Sequence, residues 1–259
     1  MSLSDVFDKV REENRAAFNG YYPAGFPTTD KSIENIKAIV DAGADIIEVG
    51  LPFSDPMMDG PTIQDAANVA LDAGFRTREI MRVVREVTEH GGTCVVMSYW
   101  NPILQYGPER FAKDLAAAGG RGTIIPDLIP EEAGQWQRAA EANGLSNIML
   151  VAPSSTNERL QLTATASTGF VYATSHMGVT GAQASVDSAA GKLVARTREV
   201  TDTPVCVGLG VSNGAQAAEI AEFADGVIVG SALIKAAMKS TDDLVTLARE
   251  LAAGVRGES

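Results

Sequence analysis

Short apolar runs recur along the chain: "AFNGYYPAG" (17–25), "ADIIEVGLP" (44–52), "TCVVMSY" (93–99), "GTIIPDL" (122–128), "NIMLVAP" (147–153), "GFVYATS" (169–175), "PVCVGLG" (204–210) and "DGVIVG" (225–230). Each has strand length and ends at glycine, proline or polar residues, so eight strands are predicted. Helical spacing fills the gaps. In "DKSIENIKAIVDAG", Ile33, Ile36, Ile39 and Val40 fall near one face, with Asp30 and Gly43 as start and stop signals. "PERFAKDLAAAGG", "PEEAGQWQRAAEANG", "TNERLQLTATASTG", "SVDSAAGKLVARTREV", "SNGAQAAEIAEF" and "TDDLVTLARELAAGV" continue the alternation. Repeated strand-then-helix order makes the strands parallel. Each crossover can hold a helix, and near-continuous apolar runs suit a sheet covered on both faces.

The expectation is an α/β fold, a closed (β/α)8 TIM barrel in a single domain over residues 1–259. "SLSDVFDKVREENRA" precedes the first strand as an extra helix placed to plug the barrel's bottom. An open doubly wound sheet is the alternative, because periodicity reports strands and helices but not closure. Against it, the first strand lacks the G-x-G-x-x-G turn of dinucleotide-binding sheets, and no linker or composition shift divides the chain.

Composition narrows the function. The 259 residues are 45% hydrophobic, enough to bury a sizeable core. Lys and Arg total 21 against 33 Asp and Glu, a formal charge of −12, which repels phosphate backbones; nucleic-acid binding is not expected. Cys94 and Cys206 lie inside apolar runs and read as inert buried thiols in a reducing compartment. No apolar run reaches the ~18 residues of a membrane helix. The opening "MSLSDVFDKVREENRAA" is charged and amphipathic rather than a signal sequence. A soluble, cytoplasmic protein without a membrane partner is expected.

Candidate chemistry begins in "IIEVGLPFSDPMMDG" (46–60), where Glu48 interrupts a buried-strand pattern. Ile46, Glu48 and Gly50 share one face of the strand, and Ile47, Val49 and Leu51 the other. Pattern alone does not say which face points inward, but a carboxylate is tolerable at the mouth of a barrel and costly under its helices. A salt-bridged structural Glu is the plain alternative, although no Lys or Arg occurs from Ala44 to Asp72. An unpaired Glu among apolar groups should have a raised pKa, which suits a group that takes and gives a proton. Asp59 precedes Gly60-Pro61, where Pro61 suits a first helical turn. Nearby backbone N–H groups would keep its carboxylate ionised; alternatively it only starts a helix. Division of labour between two carboxyls is established chemistry.

Glycine turns follow the last three predicted strands: "GVTG" (178–181), "GLGVSNG" (208–214) and "VGSALIK" (229–235). Glycine lets backbone amides approach an anion, and helices beginning at Ser212 or Ser231 would aim N–H groups at it. A phosphate site is expected there, with "SALIKAAM" as a short phosphate-binding helix after strand 8. "SHMGVTGAQASVDS" from Ser175 is long enough to act as a lid, with His176 read as a rim residue. Met57 and Met58 read as packing a loop or partner surface, Trp100 and Asn101-Pro102 as a rim turn, and Trp136 as helix packing.

The stretch "IIEVGLPFSDPMMDGPTIQ", with "MSYWNPI", "IIPDLIPEE", "MGVTG", "VGLGVS" and "VIVGSALIK" in this order, resembles the tryptophan synthase α subunit family over essentially the whole chain. The resemblance implies a (β/α)8 barrel, a carbon–carbon lyase of tryptophan biosynthesis that cleaves indole-3-glycerol phosphate by a retro-aldol step to indole and glyceraldehyde 3-phosphate. It implies no metal or organic cofactor on this subunit. Carried over by position, Glu48 matches the general acid/base. Asp59 matches the carboxylate that holds the indole nitrogen. Tyr172 matches an aromatic near the site, Gly181, Gly210, Gly230 and Ser231 the phosphate grip, and Thr180 a loop residue that closes toward Asp59. The family pairs with a β subunit that uses pyridoxal phosphate, in an α2β2 heterotetramer, and Pro52 and Asp55 of "PFSDP" match the loop that meets β. Ile129, Arg121 and His176 depart from the family's usual proline, acidic residue and arginine, at positions that bear on the β interface and the lid pairing. From the residues alone, a stand-alone lyase or another barrel enzyme acting on a phosphorylated sugar remains open.

Overall fold

The computed structural model describes residues 1–174, 188–208 and 210–258. Nine parallel strands form one sheet: β1 (Ala17–Pro23), β2 (Ile46–Gly50), β3 (Cys94–Met97), β4 (Gly122–Ile124), β5 (Ser146–Ile148), β6 (Leu150–Val151), β7 (Val171–Thr174), β8 (Val205–Gly208) and β9 (Gly226–Val229). Their order is β5-β4-β3-β2-β1-β9-β8-β7-β6. The two end strands are halves of one predicted run, broken at Met149. β5 pairs with β4 and β6 with β7, so this single chain segment closes the ring. At the break, the Met149 carbonyl accepts from the Tyr172 N–H at 2.9 Å, while the Met149 N–H donates to Ser167 Oγ at 2.9 Å. Eight staves with intervening helices make a TIM barrel, and the open-sheet alternative falls.

Two layers of packing hold it. Outward-facing strand residues such as Phe18, Ile47, Val49 and Val96 pack under the helices in one large cluster. Inward-facing Ala17, Ile46, Val95, Ile124, Ile148, Phe170, Cys206 and Ile228 form a second cluster inside the barrel. The N-terminal helix Leu3–Glu12 closes the bottom of this inner cluster with Leu3, Val6, Phe7 and Val10. Phe7 meets Phe170 with ring centroids 5.9 Å apart. Ser2 caps that helix by accepting from the Asp5 N–H at 3.1 Å, and Asp5 accepts in return from the Ser2 N–H at 2.7 Å, a reciprocal capping box.

Several helix ends differ from the sequence expectation. The second helix, Thr29–Asp41, starts at a Thr28 cap, with Asp30 in its first turn, where a negative charge complements the helix dipole. Residues Trp100–Tyr106 are helical rather than a rim turn. Pro102 lies in the first turn there and needs no N–H partner. The helix expected at Ser212 begins at Gly214, because Asn213 caps it by accepting from the Gln216 N–H at 2.9 Å. Short Ser231–Lys239 followed by Thr241–Arg256 matches the expected pair of helices after the last strand. Among the described residues, no helix is long and apolar enough to cross a membrane.

Candidate active site

Because Ile46 belongs to the inner cluster and Ile47 and Val49 to the outer one, the period of two places Glu48 inside the barrel. It is 1% exposed, and among the described residues neither carboxyl oxygen has a hydrogen-bond partner. The salt-bridge alternative therefore has no support there. Burial pushes the carboxyl up to about 8, with the Asn19 amide, close by but without a well-formed bond, acting in the opposite direction.

Asp59 sits in the loop after β2, just before the Gly60 cap of the helix Pro61–Asp72. Its carboxyl is pushed up to about 6 by burial, and the Tyr99 hydroxyl opposes that rise. Helix-start amides are expected from the sequence to keep this carboxylate ionised; burial acts against that, and at about 6 the group is mostly ionised near pH 7. The loop is fixed by two side chains: Gln64 Nε2 donates to the Asp59 carbonyl at 2.7 Å, and the Met58 N–H donates to the Tyr99 hydroxyl at 2.9 Å.

Two phenols tie the acids to one place. Tyr21 pairs in register with Glu48 across β1 and β2, and Tyr172 stands on the inner face of β7. Burial raises both phenols well above their ordinary value, and the charges of both Glu48 and Asp59 push in the same direction. Each phenol thus lies within electrostatic reach of both carboxyls. Glycine makes room for the rings. A Cβ on Gly50 would run into the Tyr21 hydroxyl, one on Gly208 into the Tyr172 hydroxyl, and one on Gly230 would lie 3.1 Å from Tyr21 Cδ1.

Of the residues expected to grip phosphate, Gly230 follows β9 and caps the helix starting at Ser231 without a side-chain hydrogen bond. Gly210, with φ of 64°, occupies the left-handed region after β8 that glycine adopts at little cost. Ser212 is turned away from this role, its N–H and hydroxyl both bonded to Gln216 Oε1 at 2.8 and 2.9 Å. Thr180, Gly181 and His176 lie outside the described residues. Arg121 and Ile129 are exposed.

Pro52 is buried and Asp55 exposed on the same loop. Pro52, Phe53 and Ser54 line a groove of about 400 Å³ with Phe75, Pro102 and Tyr106. Phe53 also stacks near Tyr99, ring centroids 5.3 Å apart, which connects the groove to the residue beside Asp59. Exposed Met57 and Leu104 are further apolar surface on these two segments. Among the described residues, no three His, Cys, Asp or Glu side chains converge as a metal centre requires. Cys94 and Cys206 are buried, free thiols.

Tyr21, Tyr99 and Asn19 were not singled out from the sequence. For Asn19 and Tyr21 a signal existed: in "AFNGYYP" they share a face with Ala17, a polar pair in an otherwise buried strand, as Glu48 is in β2.

The family model described as tryptophan synthase alpha chain matches residues 7–257. The tryptophan synthase alpha chain of Nocardia farcinica is 58% identical over 254 residues, covering 98% of this chain and 96% of its own. That of Mycobacteroides abscessus is also 58% identical, covering 98% and 97%. Among solved structures, a chain of Mycobacterium tuberculosis tryptophan synthase superposes with a TM-score of 0.96 at 56% identity, with 98% of each chain covered. Tryptophan synthase subunit alpha from Legionella pneumophila superposes with a TM-score of 0.87 at 30% identity, covering 99% of each chain. The chain belongs to the tryptophan synthase alpha chain family.

Proposed function

We propose that this family member is the carbon–carbon lyase of tryptophan biosynthesis, cleaving indole-3-glycerol phosphate to indole and glyceraldehyde 3-phosphate. The observation that carries the mechanism is the placing of a fully buried carboxyl, Glu48, inside the barrel and a half-buried one, Asp59, in the loop that follows the same strand, burial raising the first to about 8 and the second to about 6. Near pH 7 Glu48 rests protonated while Asp59 is mostly ionised, so one can give a proton and the other can hold charge.

Asp59 accepts a hydrogen bond from the indole N–H. Glu48 delivers its proton to the ring carbon that bears the glycerol chain, and the positive charge that builds on the ring nitrogen is stabilised by Asp59. The bond from that carbon to the glycerol chain then breaks. Its electron pair returns to the ring and restores aromatic indole, while the adjacent hydroxyl loses its proton to the Glu48 carboxylate and becomes the aldehyde. Glu48 ends as it began, protonated. Tyr172 lines the indole pocket. Gly181, Gly210, Gly230 and Ser231 hold the phosphate, with the helix at Ser231 contributing backbone N–H groups, and Thr180 closes toward Asp59.

The chain works as a single domain in the cytoplasm and carries no cofactor of its own. Its partner is a tryptophan synthase β subunit, which uses pyridoxal phosphate and receives indole, in an α2β2 assembly. Pro52 and Asp55 face that partner, and the adjoining groove gives it an apolar seat.

Measuring kcat/KM for indole release against pH tests the acid pair. A bell is expected, rising with the ionisation of Asp59 near pH 6 and falling with deprotonation of Glu48 near pH 8. Activity that keeps rising through pH 9 would contradict a protonated Glu48 as the starting acid.

A further inference from the structure

Asn19 is fully buried on the inner face of β1, and among the described residues neither its Oδ1 nor its Nδ2 has a hydrogen-bond partner. Its position explains what those atoms are near. Asn19 pairs with Ile46, and Tyr21 with Glu48, across β1 and β2. Asn19 and Glu48 are therefore diagonal neighbours on one face, a separation that long side chains bridge. On the other side, Gly226 of β9 has no side chain, which admits the Cys206 thiol toward β1; a Cβ there would lie 2.6 Å from the sulfur and 3.5 Å from Ala17 Cβ. The Asn19 amide acts on both the carboxyl and the thiol, in each case against the rise that burial causes.

A buried amide without partners and a buried carboxyl without partners are each costly to keep. Side by side they can satisfy one another. We propose that Asn19 is a positioning residue for Glu48, its amide serving the carboxyl in both protonation states: Nδ2–H donates to the carboxylate, and Oδ1 accepts from the carboxylic acid. An amide can do both without changing its own charge, and rotation about χ2 exchanges the two arrangements. A group that gives and retakes a proton in each turnover needs such a neighbour; an aliphatic side chain at this position would favour only the neutral acid.

The other groups that face Glu48 do not compete with it for a proton where it titrates: Tyr21 on β1, Tyr172 on β7 and Cys206 on β8 are held well above their ordinary values by burial and stay neutral there. Asp59, in the loop above, carries a charge of the same sign as the carboxylate, and the Tyr99 hydroxyl is committed to Asp59 and the Met58 N–H.

Asn19→Val and Asn19→Thr test the proposal, since they share a shape and differ by a methyl against a hydroxyl. In Asn19→Val the alkaline limb of the kcat/KM profile should move up by roughly half to one pH unit while the acid limb, set by Asp59, stays. kcat should fall with KM unchanged, and Asn19→Thr should recover part of both effects. This rate arm rests on the proposed role of Glu48. A carbon-13 NMR titration of the Glu48 carboxyl in the same proteins does not, because it reads the shift without turnover. The expected order of midpoints is native, then Asn19→Thr, then Asn19→Val. Coincident titrations in all three, or equal shifts in Val and Thr, overturn the proposal. Should Asn19→Val not fold, native against Asn19→Thr decides alone: a hydroxyl replaces the amide only in part, so the midpoint must still rise, and no rise overturns it.

Discussion

A carboxyl that is 1% exposed, with no partner among the described residues, is held at a cost to stability, and that cost has a definite pH dependence. Unfolded, Glu48 titrates near its ordinary 4.5; folded, it titrates at about 8. Between those values the folded protein keeps a proton that the unfolded chain has released. Stability is therefore unaffected below pH 4.5, falls as pH rises to 8, and levels off above. At about 1.4 kcal/mol per pH unit the penalty grows to the order of 3–5 kcal/mol. Glu48→Gln removes the titration. Native and variant should melt within a few degrees of each other at pH 5, and the variant should melt clearly higher at pH 8. A difference that does not open with pH would show that Glu48 is not titrating so far up. The oddity of a Glu in an apolar strand was legible in the sequence, as was its helpful lack of nearby Lys or Arg. Its setting was not. Which face of β2 points inward depends on what packs against Ile46 and Ile47, and those contacts come from remote strands and helices. For Asp59 the local helix start was visible in the sequence, while the burial that raises its carboxyl to about 6, against the Tyr99 hydroxyl, comes from the surrounding fold.

Among the elements, the short helix Ser231–Lys239 carries the clearest expectation. Gly230 leaves its first turn without a side-chain cap, so an anion there meets the positive end of the helix dipole. Ser231→Asp places a carboxylate where the substrate phosphate is proposed to sit. KM for indole-3-glycerol phosphate should rise roughly tenfold or more, since charge at a helix end is worth ~1–2 kcal/mol. Melting should not suffer, because Asp is favourable in a first turn. An unchanged KM would remove this helix from the phosphate site. Strand and helix alternation was read correctly from periodicity, and the glycine turns pointed to this helix. What periodicity could not show was the break at Met149, where pairing passes from β4 to β7 and Ser167 takes over a backbone bond. Nor could it show the helix Trp100–Tyr106, hidden because Pro102 reads as a turn unless its first-turn position is known.

At the scale of the molecule, the loop from Pro52 to Asp59 joins a groove to the chemistry. Phe53 lines the groove and packs near Tyr99, and Tyr99 holds the Met58 N–H beside Asp59. A β subunit seated on the groove would press on the same residues that place Asp59. Indole release should therefore quicken when β is added, and Asp55→Lys, on the exposed part of the loop, should weaken that stimulation while leaving the slow release by the chain alone within about twofold, as expected of a surface change away from the acids. Equal stimulation of native and Asp55→Lys proteins would move the partner surface elsewhere.

The most direct measurement is indole formation from indole-3-glycerol phosphate by the purified chain, native against Glu48→Gln and Asp59→Asn, with folding checked by circular dichroism. The account predicts slow release by the native chain and a loss of ~10²- to 10⁴-fold in each variant, with the fold kept. Near-native indole release by either folded variant would contradict the two-carboxyl mechanism.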